Sequence, residues 1–375
     1  MKVLMTGGGT GGHINPAIAI AETIKRHHPD AIIEFVSSTL KTDKANDLVP
    51  RAGYKLHKLD ICGSFAIWDP RNLKTLYYMA KSKRQAKALI SEFCPDVIIG
   101  TGGFACYPVL NAGAEMGIPT LVHESNAIAG KAVKRLAPKV DCVMTNFRET
   151  AEELNGAKRV IRVGNPTVFD LGAVIEKSAK SEKEDKKTLE VLSFGGSGGS
   201  EPFNDEIAST LSELAKKMPN VRFYHATGSR DSERMAAEFL RYGLDKSGNV
   251  EFADYIYDMH ERMANADIII CRAGAMTLSE LALLGKAAIL VPSPYVVCNH
   301  QYKNAKAIYD KGACELVVEE KNKDYTHGNS ELTAAIERLV GDAGKRTELG
   351  EKIKDFADTD ANEKIYLEIK NLLRI

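Results

Sequence analysis

No apolar run in this 375-residue chain approaches the roughly 20 residues that cross a bilayer, so a spanning helix is excluded. Charge of one sign is also lacking: 50 Lys and Arg stand against 50 Asp and Glu, and no global field recruits nucleic acid. The seven cysteines (Cys62, Cys94, Cys106, Cys142, Cys271, Cys298 and Cys314) form no C-x-x-C pair. They read as reduced core thiols of a cytosolic protein, and no zinc site is expected. The chain opens directly on an apolar strand, leaving no room for a signal peptide. At 375 residues it is long enough for two domains.

What is there begins with Met5 to Pro16, M-T-G-G-G-T-G-G-H-I-N-P. A short apolar strand, Lys2 to Met5, precedes it, and apolar residues at helical spacing follow from Ala17 to Lys25, with Pro16 expected in the first helical turn. Glycines let backbone approach a ligand closely, and a helix N-terminus favours negative charge, so a phosphate or diphosphate is the natural guest. His13 is the one titratable side chain in the loop and could take a proton from a reacting hydroxyl. The formal Gly7-x-Gly9-x-x-Gly12 pattern does not make a dinucleotide site, because the acid expected at the end of the second strand is missing. Ile32 to Val36 runs out into Ser37-Ser38 instead. A Walker A loop is excluded because no Lys-Ser or Lys-Thr follows the glycines.

Strand and helix alternate through the first half, the grammar of a doubly wound parallel sheet that binds ligands at its carboxyl edge. Strands are expected at 3–5, 32–36, 97–99, 120–122, 142–145 and 160–162, with helices around 17–25, 72–92, 109–116, 131–136 and 149–154. Two strand ends carry unusual residues: Gly100-Thr101-Gly102-Gly103-Phe104, and the polar run His123-Glu124-Ser125-Asn126. After Gly164-Asn165-Pro166 the pattern breaks into a highly charged stretch, and residues 167–188 read as a linker. The grammar restarts with the strand Leu189 to Phe194 and Gly195-Gly196-Ser197-Gly198-Gly199-Ser200, with a helix from about Phe203. Further on, Arg272-Ala273-Gly274-Ala275-Met276-Thr277-Leu278-Ser279-Glu280 opens another helix after an apolar strand, where a carboxylate can accept both hydroxyls of a ribose. His300 and Gln301 at a later helix start are placed to meet a polar ligand. The expected architecture is therefore α/β: a first Rossmann-like domain over 1–166 and a second over 189–375, facing each other across a cleft. The last helix is a candidate to pack back on the first domain.

In order, Gly8 to His13, Gly100 to Phe104, His123 to Asn126, Val163 to Pro166, Gly195 to Gly199, Arg272 to Glu280 and His300 to Ala305 resemble the motifs of the MurG family across nearly the whole chain. These are inverting N-acetylglucosaminyltransferases of the GT-B fold. The resemblance implies UDP-N-acetylglucosamine as donor and lipid I (undecaprenyl-diphospho-N-acetylmuramoyl-pentapeptide) as acceptor, with no cofactor and no metal. It implies His13 as general base, with Asn126 beside the reacting groups. Thr10, Gly11, Gly12, Gly102, Gly103, Glu124 and Asn126 would face the acceptor diphosphate or the donor sugar. Ser197, Ile256, Arg272, Ala275, Met276, Thr277, Leu278, Ser279, Glu280 and Gln301 would hold UDP and its sugar, with Ile256 by the uracil and Glu280 on the ribose. Two departures stand out: Thr167-Val168 replaces an arginine that many members carry after G-N-P, so that Arg272 or backbone amides would take over a diphosphate contact, and H-E-S-N replaces H-E-Q-N.

Inversion needs one base and no carboxylate nucleophile, and no Asp-x-Asp metal motif is read. Competing readings are a glycosyltransferase of this fold with another lipid or glycan acceptor, a UDP-sugar epimerase, which would be expected to open with an arginine-bearing first loop in place of G-G-G-T-G-G-H, and a UDP-sugar-binding protein without turnover. A lipid-linked acceptor also implies peripheral binding to the cytoplasmic face of an anionic membrane. The segment Phe65 to Lys87 fits that role: it holds the single tryptophan, Trp68, and six basic residues (Arg71, Lys74, Lys81, Lys83, Arg84, Lys87), with no acid from Arg71 to Lys87.

Overall fold

The structure, a computed structural model, describes residues 1–61, 72–168, 188–196, 198–228, 230–296, 299–323, 325 and 329–375. Cys62, Phe65, Ile67, Trp68, Arg71, Ser197, Cys298 and most of the expected linker lie outside the described residues. The chain divides into two units, Met1–Val168 with Asp358–Ile375, and Phe169–Ala357.

The first unit is built on seven parallel strands: β1 (Lys2–Thr6), β2 (Ile32–Ser38), β3 (Lys55–Leu59), β4 (Val97–Gly100), β5 (Thr120–Glu124), β6 (Cys142–Thr145) and β7 (Val160–Arg162), ordered β3-β2-β1-β4-β5-β6-β7. Helices α1 (Gly11–His27), α2 (Ala45–Arg51), α3 (Asn72–Phe93), α4 (Cys106–Glu115) and α5 (Lys131–Leu136) connect them. Val97, Ile98 and Ile99 are all fully buried, as expected of a sheet covered on both faces, where strands read as apolar runs rather than alternations. Strand order reverses between β1 and β4, whose ends lie side by side with Thr6 opposite Gly100. The loops after these strands therefore flank the crevice where a doubly wound sheet takes its ligand.

Two expectations change. α1 begins at Gly11, six residues before the apolar periodicity, so Gly11, Gly12 and His13 form its first turn and Pro16 lies inside the helix. A proline there cannot donate to the Gly12 carbonyl. β3 and α2 were not anticipated: Lys55-Leu56-His57-Lys58-Leu59 is a charged edge strand, and α2 contains Pro50.

The second unit repeats the plan with β8 (Leu189–Phe194), β9 (Val221–Ala226), β10 (Val250–Ala253), β11 (Ile268–Cys271), β12 (Ala287–Leu290) and β13 (Glu315–Leu316), all parallel, ordered β10-β9-β8-β11-β12-β13. Its helices are α6 (Glu201–Lys217), α7 (Ser232–Arg241), α8 (Met259–Asn265), α9 (Ala275–Leu284), α10 (His300–Tyr309), α11 (Ser330–Gly341) and α12 (Ala343–Ile353). The reversal falls between β8 and β11, so the loops after them, 195–200 and 272–274, flank the second crevice.

The final helix, α13 (Ala361–Leu373), belongs to the first unit. Ile365 and Ile369 enter a core made by Val3, Ile24, Cys142, Met144 and Val163. At its start Asn362 exchanges two hydrogen bonds with the backbone of Thr167, at 3.0 and 2.8 Å. Tyr366 stacks on His27, with ring centroids 3.9 Å apart. Contrary to the expectation of no Asp-x-Asp motif, the triplet Asp358-Thr359-Asp360 just before α13 spells one. Asp358 is paired with Lys364, and no cluster of three His, Cys, Asp or Glu suited to a metal occurs among the described residues. Among those residues Cys94, Cys106, Cys142, Cys271 and Cys314 are free thiols, and no helix is long and apolar enough to cross a membrane.

Candidate active site

In the first unit the glycine loop after β1 and the one after β4 interlock around His13. Thr101 Oγ1 donates to the His13 carbonyl at 2.6 Å, and His13 Nδ1 lies 3.1 Å from the Thr101 carbonyl. A carbonyl can only accept, so Nδ1 carries the proton and Nε2 is left with a lone pair. Gly102 has φ +91°, and a Cβ there would stand 2.9 Å from Nδ1; any side chain would push the imidazole away. Gly103 likewise packs where a Cβ would meet the Gly8 carbonyl. Thr10 caps α1 with its backbone but makes no side-chain cap hydrogen bond, and both Thr10 and Gly12 are exposed.

Glu124 is 3% exposed and shapes the next loop. Its Oε1 accepts the amide (3.0 Å) and side-chain NH2 (2.9 Å) of Asn126, and its Oε2 accepts the Gly130 amide at 2.8 Å. Glu124 thus holds Asn126, which is half-buried. His123 is fully buried and donates from Nε2 to the Gly164 carbonyl at 2.8 Å; burial pushes its pKa down, so it stays neutral. Its Nδ1 faces the Ser125 hydroxyl at 3.4 Å. The serine of H-E-S-N is therefore turned into the protein, towards the histidine two residues before it.

Sequence reasoning missed Asp43. The acid absent from the end of β2 arrives from the following loop: Asp43 is buried, and Ser37 Oγ (2.7 Å), Ser38 Oγ (2.6 Å), the Gly9 amide (3.0 Å) and the Ala45 amide (3.1 Å) all donate to it. Burial works to raise its pKa, but these donors outweigh it and hold the carboxyl below its usual range. No periodicity announces it, since it lies in a loop and its partners are up to 34 residues away.

In the second unit Ser200 caps α6, and its hydroxyl accepts Arg272 Nη2 at 2.8 Å. Arg272 is buried, donates from Nη1 to the Val291 carbonyl at 3.0 Å, pairs with the buried Glu319 and lies over the Phe203 ring. Its charge is committed inside the protein, holding the end of the glycine loop. Behind it Glu206 is buried with one oxygen 2.5 Å from Asn329 Nδ2; burial and then the neighbouring Glu319 raise its pKa to about 7, against the pull of Asn329 and Arg272.

At the start of α9 the side chains divide. Ala275 and Leu278 are buried, and Ser279 Oγ turns back to the Ala275 carbonyl at 3.2 Å, whereas Met276, Thr277 and Glu280 are half-buried. Glu280 Oε1 has His260 Nε2 of α8 at 3.4 Å, a neighbour the sequence did not suggest. Ile256 is buried among Phe194, Ala226 and Met263. Gln301 accepts the Ser293 amide at 2.8 Å, which leaves its NH2 as a donor. The expected residues thus gather at two sheet edges: His13, Gly102, Gly103, Glu124 and Asn126 in the first unit, Arg272, Ala275 to Glu280, Ile256 and Gln301 in the second.

Comparison with known proteins bears on the whole chain. The profile of the glycosyltransferase family 28 N-terminal domain matches residues 3–145, and that of the family's C-terminal domain matches 190–365. The chain is 36% identical to the UDP-N-acetylglucosamine--N-acetylmuramyl-(pentapeptide) pyrophosphoryl-undecaprenol N-acetylglucosamine transferase of Acetivibrio thermocellus, over 100% of this chain and 99% of that protein. It is 35% identical to the Bacillus cytotoxicus protein of the same name, over the full length of both. Among solved structures, MurG of Acinetobacter baumannii superposes with a TM-score of 0.75 at 26% identity, covering 99% of each chain. A Staphylococcus aureus MnaA–UDP structure shares the fold, with a TM-score of 0.69 at 14% identity, over 100% of this chain and 97% of that one. The chain, two parallel-sheet Rossmann-like units of the GT-B class, belongs to glycosyltransferase family 28 and, within it, to the MurG family of N-acetylglucosamine transferases.

Proposed function

We infer that the chain transfers N-acetylglucosamine from UDP-N-acetylglucosamine to lipid I, with inversion, to give lipid II of the peptidoglycan pathway. Full-length relatives named for that reaction support it. The observation that carries the chemistry is His13, whose Nδ1 proton lies against the Thr101 carbonyl, which puts the ring's lone pair on Nε2. Nε2 takes the proton of the acceptor hydroxyl as its oxygen attacks the anomeric carbon. The bond from that carbon to the diphosphate oxygen breaks, and UDP leaves with the pair of electrons. Amides at the starts of α6 and α9 stabilise the departing charge.

The donor is assigned to the second unit on the position of the acids. Near β2 the available carboxylate, Asp43, is turned inward onto Ser37, Ser38 and Gly9. In the second unit Glu280 is half-buried at the carboxyl edge and suits a ribose. In this reading Ile256 packs by the uracil, Thr277, Met276 and Gln301 line the nucleotide and sugar, and Thr10, Gly11, Gly12, Gly102, Gly103 and Asn126 receive the acceptor. Arg272, Glu124 and Ser279 act behind that surface, through the residues they hold.

The chain is further proposed to bind the anionic membrane that carries its acceptor, through the segment containing α3. Tyr77 is 63% exposed there, and Arg84 is exposed. The basic excess is smaller than the sequence alone suggests: Lys81 pairs with Asp60, and Lys83 and Lys87 both pair with Glu115.

The test is transfer of labelled N-acetylglucosamine from UDP onto a short-chain lipid I analogue, with the product identified by mass and anomeric configuration. A product of inverted configuration is expected. Isomerised UDP-sugar, or UDP binding with no transfer, would overturn the reading.

A further inference from the structure

Gly9 is gripped on both sides. Its N–H donates to Asp43 Oδ1 at 3.0 Å, and its carbonyl accepts the Lys44 amide at 3.3 Å. Asp43 itself is anchored by Ser37, whose hydroxyl also lies 2.8 Å from the Gly7 carbonyl, and by both the hydroxyl and the amide of Ser38. The same carboxylate receives the Ala45 amide at the start of α2. Gly9 stands at φ +95°, immediately before Thr10, the cap of α1, whose carbonyl accepts the amides of His13 and Ile14. The turn that carries His13 therefore follows directly on the Gly9 backbone, whose N–H is held by one buried carboxylate.

The Gly9 N–H is taken by Asp43, whereas the amides of Gly11 and Gly12 open the helix on the same turn as His13, where a diphosphate is favoured. A carboxylate so enclosed faces no substrate.

We propose that Asp43 is a positioning residue of the acceptor site, fixing Gly9 so that the helix-opening amides and the His13 imidazole are presented together. The assignment rests on the transferase reading above. Asp43→Asn keeps the size and one acceptor but removes the charge and presents an NH2 to hydroxyls already donating; Asp43→Ala removes the grip altogether. Misplacing a reacting group by about 1 Å costs on the order of 100-fold in rate, so a loss of that order in kcat/KM for the lipid I analogue is expected for Asp43→Ala. The donor KM and the affinity for UDP stay within about twofold, since UDP is held by the other unit. Because Asp43 acts in part through His13, the loss caused by Asp43→Asn is smaller in the His13→Ala background than in the wild type.

The measurement is steady-state transfer by the full chain and these variants, with UDP titration for the donor side, melting of the transition that UDP does not protect as the check on folding of the first unit, and hydrogen exchange of a peptide covering residues 7–12. Wild-type acceptor kinetics in Asp43→Ala, equal loss on the donor side, or losses that multiply with His13→Ala would each overturn the proposal. If Asp43→Ala does not fold, Asp43→Asn carries the same comparison. Failure of the wild type to transfer sinks the transferase reading instead; faster exchange over residues 7–12 in Asp43→Asn then still supports the grip on Gly9, and unchanged exchange overturns it.

Discussion

With Nδ1 committed to the Thr101 carbonyl, the His13 ring can take up a proton only at Nε2. His13→Ala should lower turnover by roughly 100- to 10,000-fold, the range for a lost general base, with UDP affinity unchanged. Turnover at the wild-type level would remove the base assignment. Glu280→Ala should weaken UDP by about 1.5–3 kcal/mol, as for a charge-assisted hydrogen bond, and weaken 2'-deoxy-UDP less. Equal losses for the two nucleotides in calorimetry would leave the carboxylate with only a role towards His260. Glu206 makes a prediction about stability. Its folded pKa, about 7, lies above the ordinary 4.5, so folding favours the protonated form. Wild-type stability should therefore decline as pH rises from about 4.5 through 7, when the buried carboxyl ionises without a partner for its second oxygen. Glu206→Gln should gain melting temperature over wild type as pH rises, and a difference independent of pH between 5 and 8.5 would mean that Glu206 does not titrate there. At this scale the sequence was legible for residues whose neighbours share their motif, as with His13 and its glycines. It was silent on Glu319 and His260, whose partners come from distant strands and helices, and on Asp43, whose link to Gly9 spans 34 residues.

Among the elements, α3 shows how tertiary contacts revise a reading made from one segment. No acid occurs from Arg71 to Lys87, yet Glu115 at the end of α4 binds Lys83 at 2.6 Å and Lys87 at 2.9 Å. Lys83 and then Lys87 hold its carboxyl well below the usual range. Glu115→Gln should release both lysines and strengthen binding to anionic vesicles at low salt, where each basic residue near the surface contributes roughly 1 kcal/mol. Salt should erase the gain. Unaltered vesicle binding in a flotation assay would show that this face of α3 does not meet lipid. The core strands could be read because burial on both faces makes them apolar runs, as in Val97-Ile98-Ile99. β3 escaped because an edge strand carries Lys55, His57 and Lys58, with Lys55 and His57 meeting Glu34 of the neighbouring β2. The start of α1 was misjudged because its first turn is glycine and histidine, which carry no apolar periodicity.

Over the whole molecule, the repeat of strand, glycine loop and helix at residues 2–27 and 189–217 made two Rossmann-like sheets legible. The last helix was a candidate to return to the first domain, but the sequence did not say which of its residues enter the core, because α13 is an ordinary amphipathic helix until its partner is known. Ile369→Ala should destabilise the first unit by about 2–5 kcal/mol, the cost of emptying a buried aliphatic site. Melts with and without UDP should show the shifted transition to be the one that UDP does not protect. A shift confined to the UDP-protected transition would contradict the division into units. The return of α13 also orders events at the ribosome. All of Phe169–Ala357 is synthesised between the seven-stranded sheet and the helix that closes it, a wait of roughly 10–40 s at about 5–20 residues per second. The second unit has its whole sequence before the first does, so during translation the half made first is the half finished last, with the apolar surface around Val163 and Met144 waiting for Ile365 and Ile369.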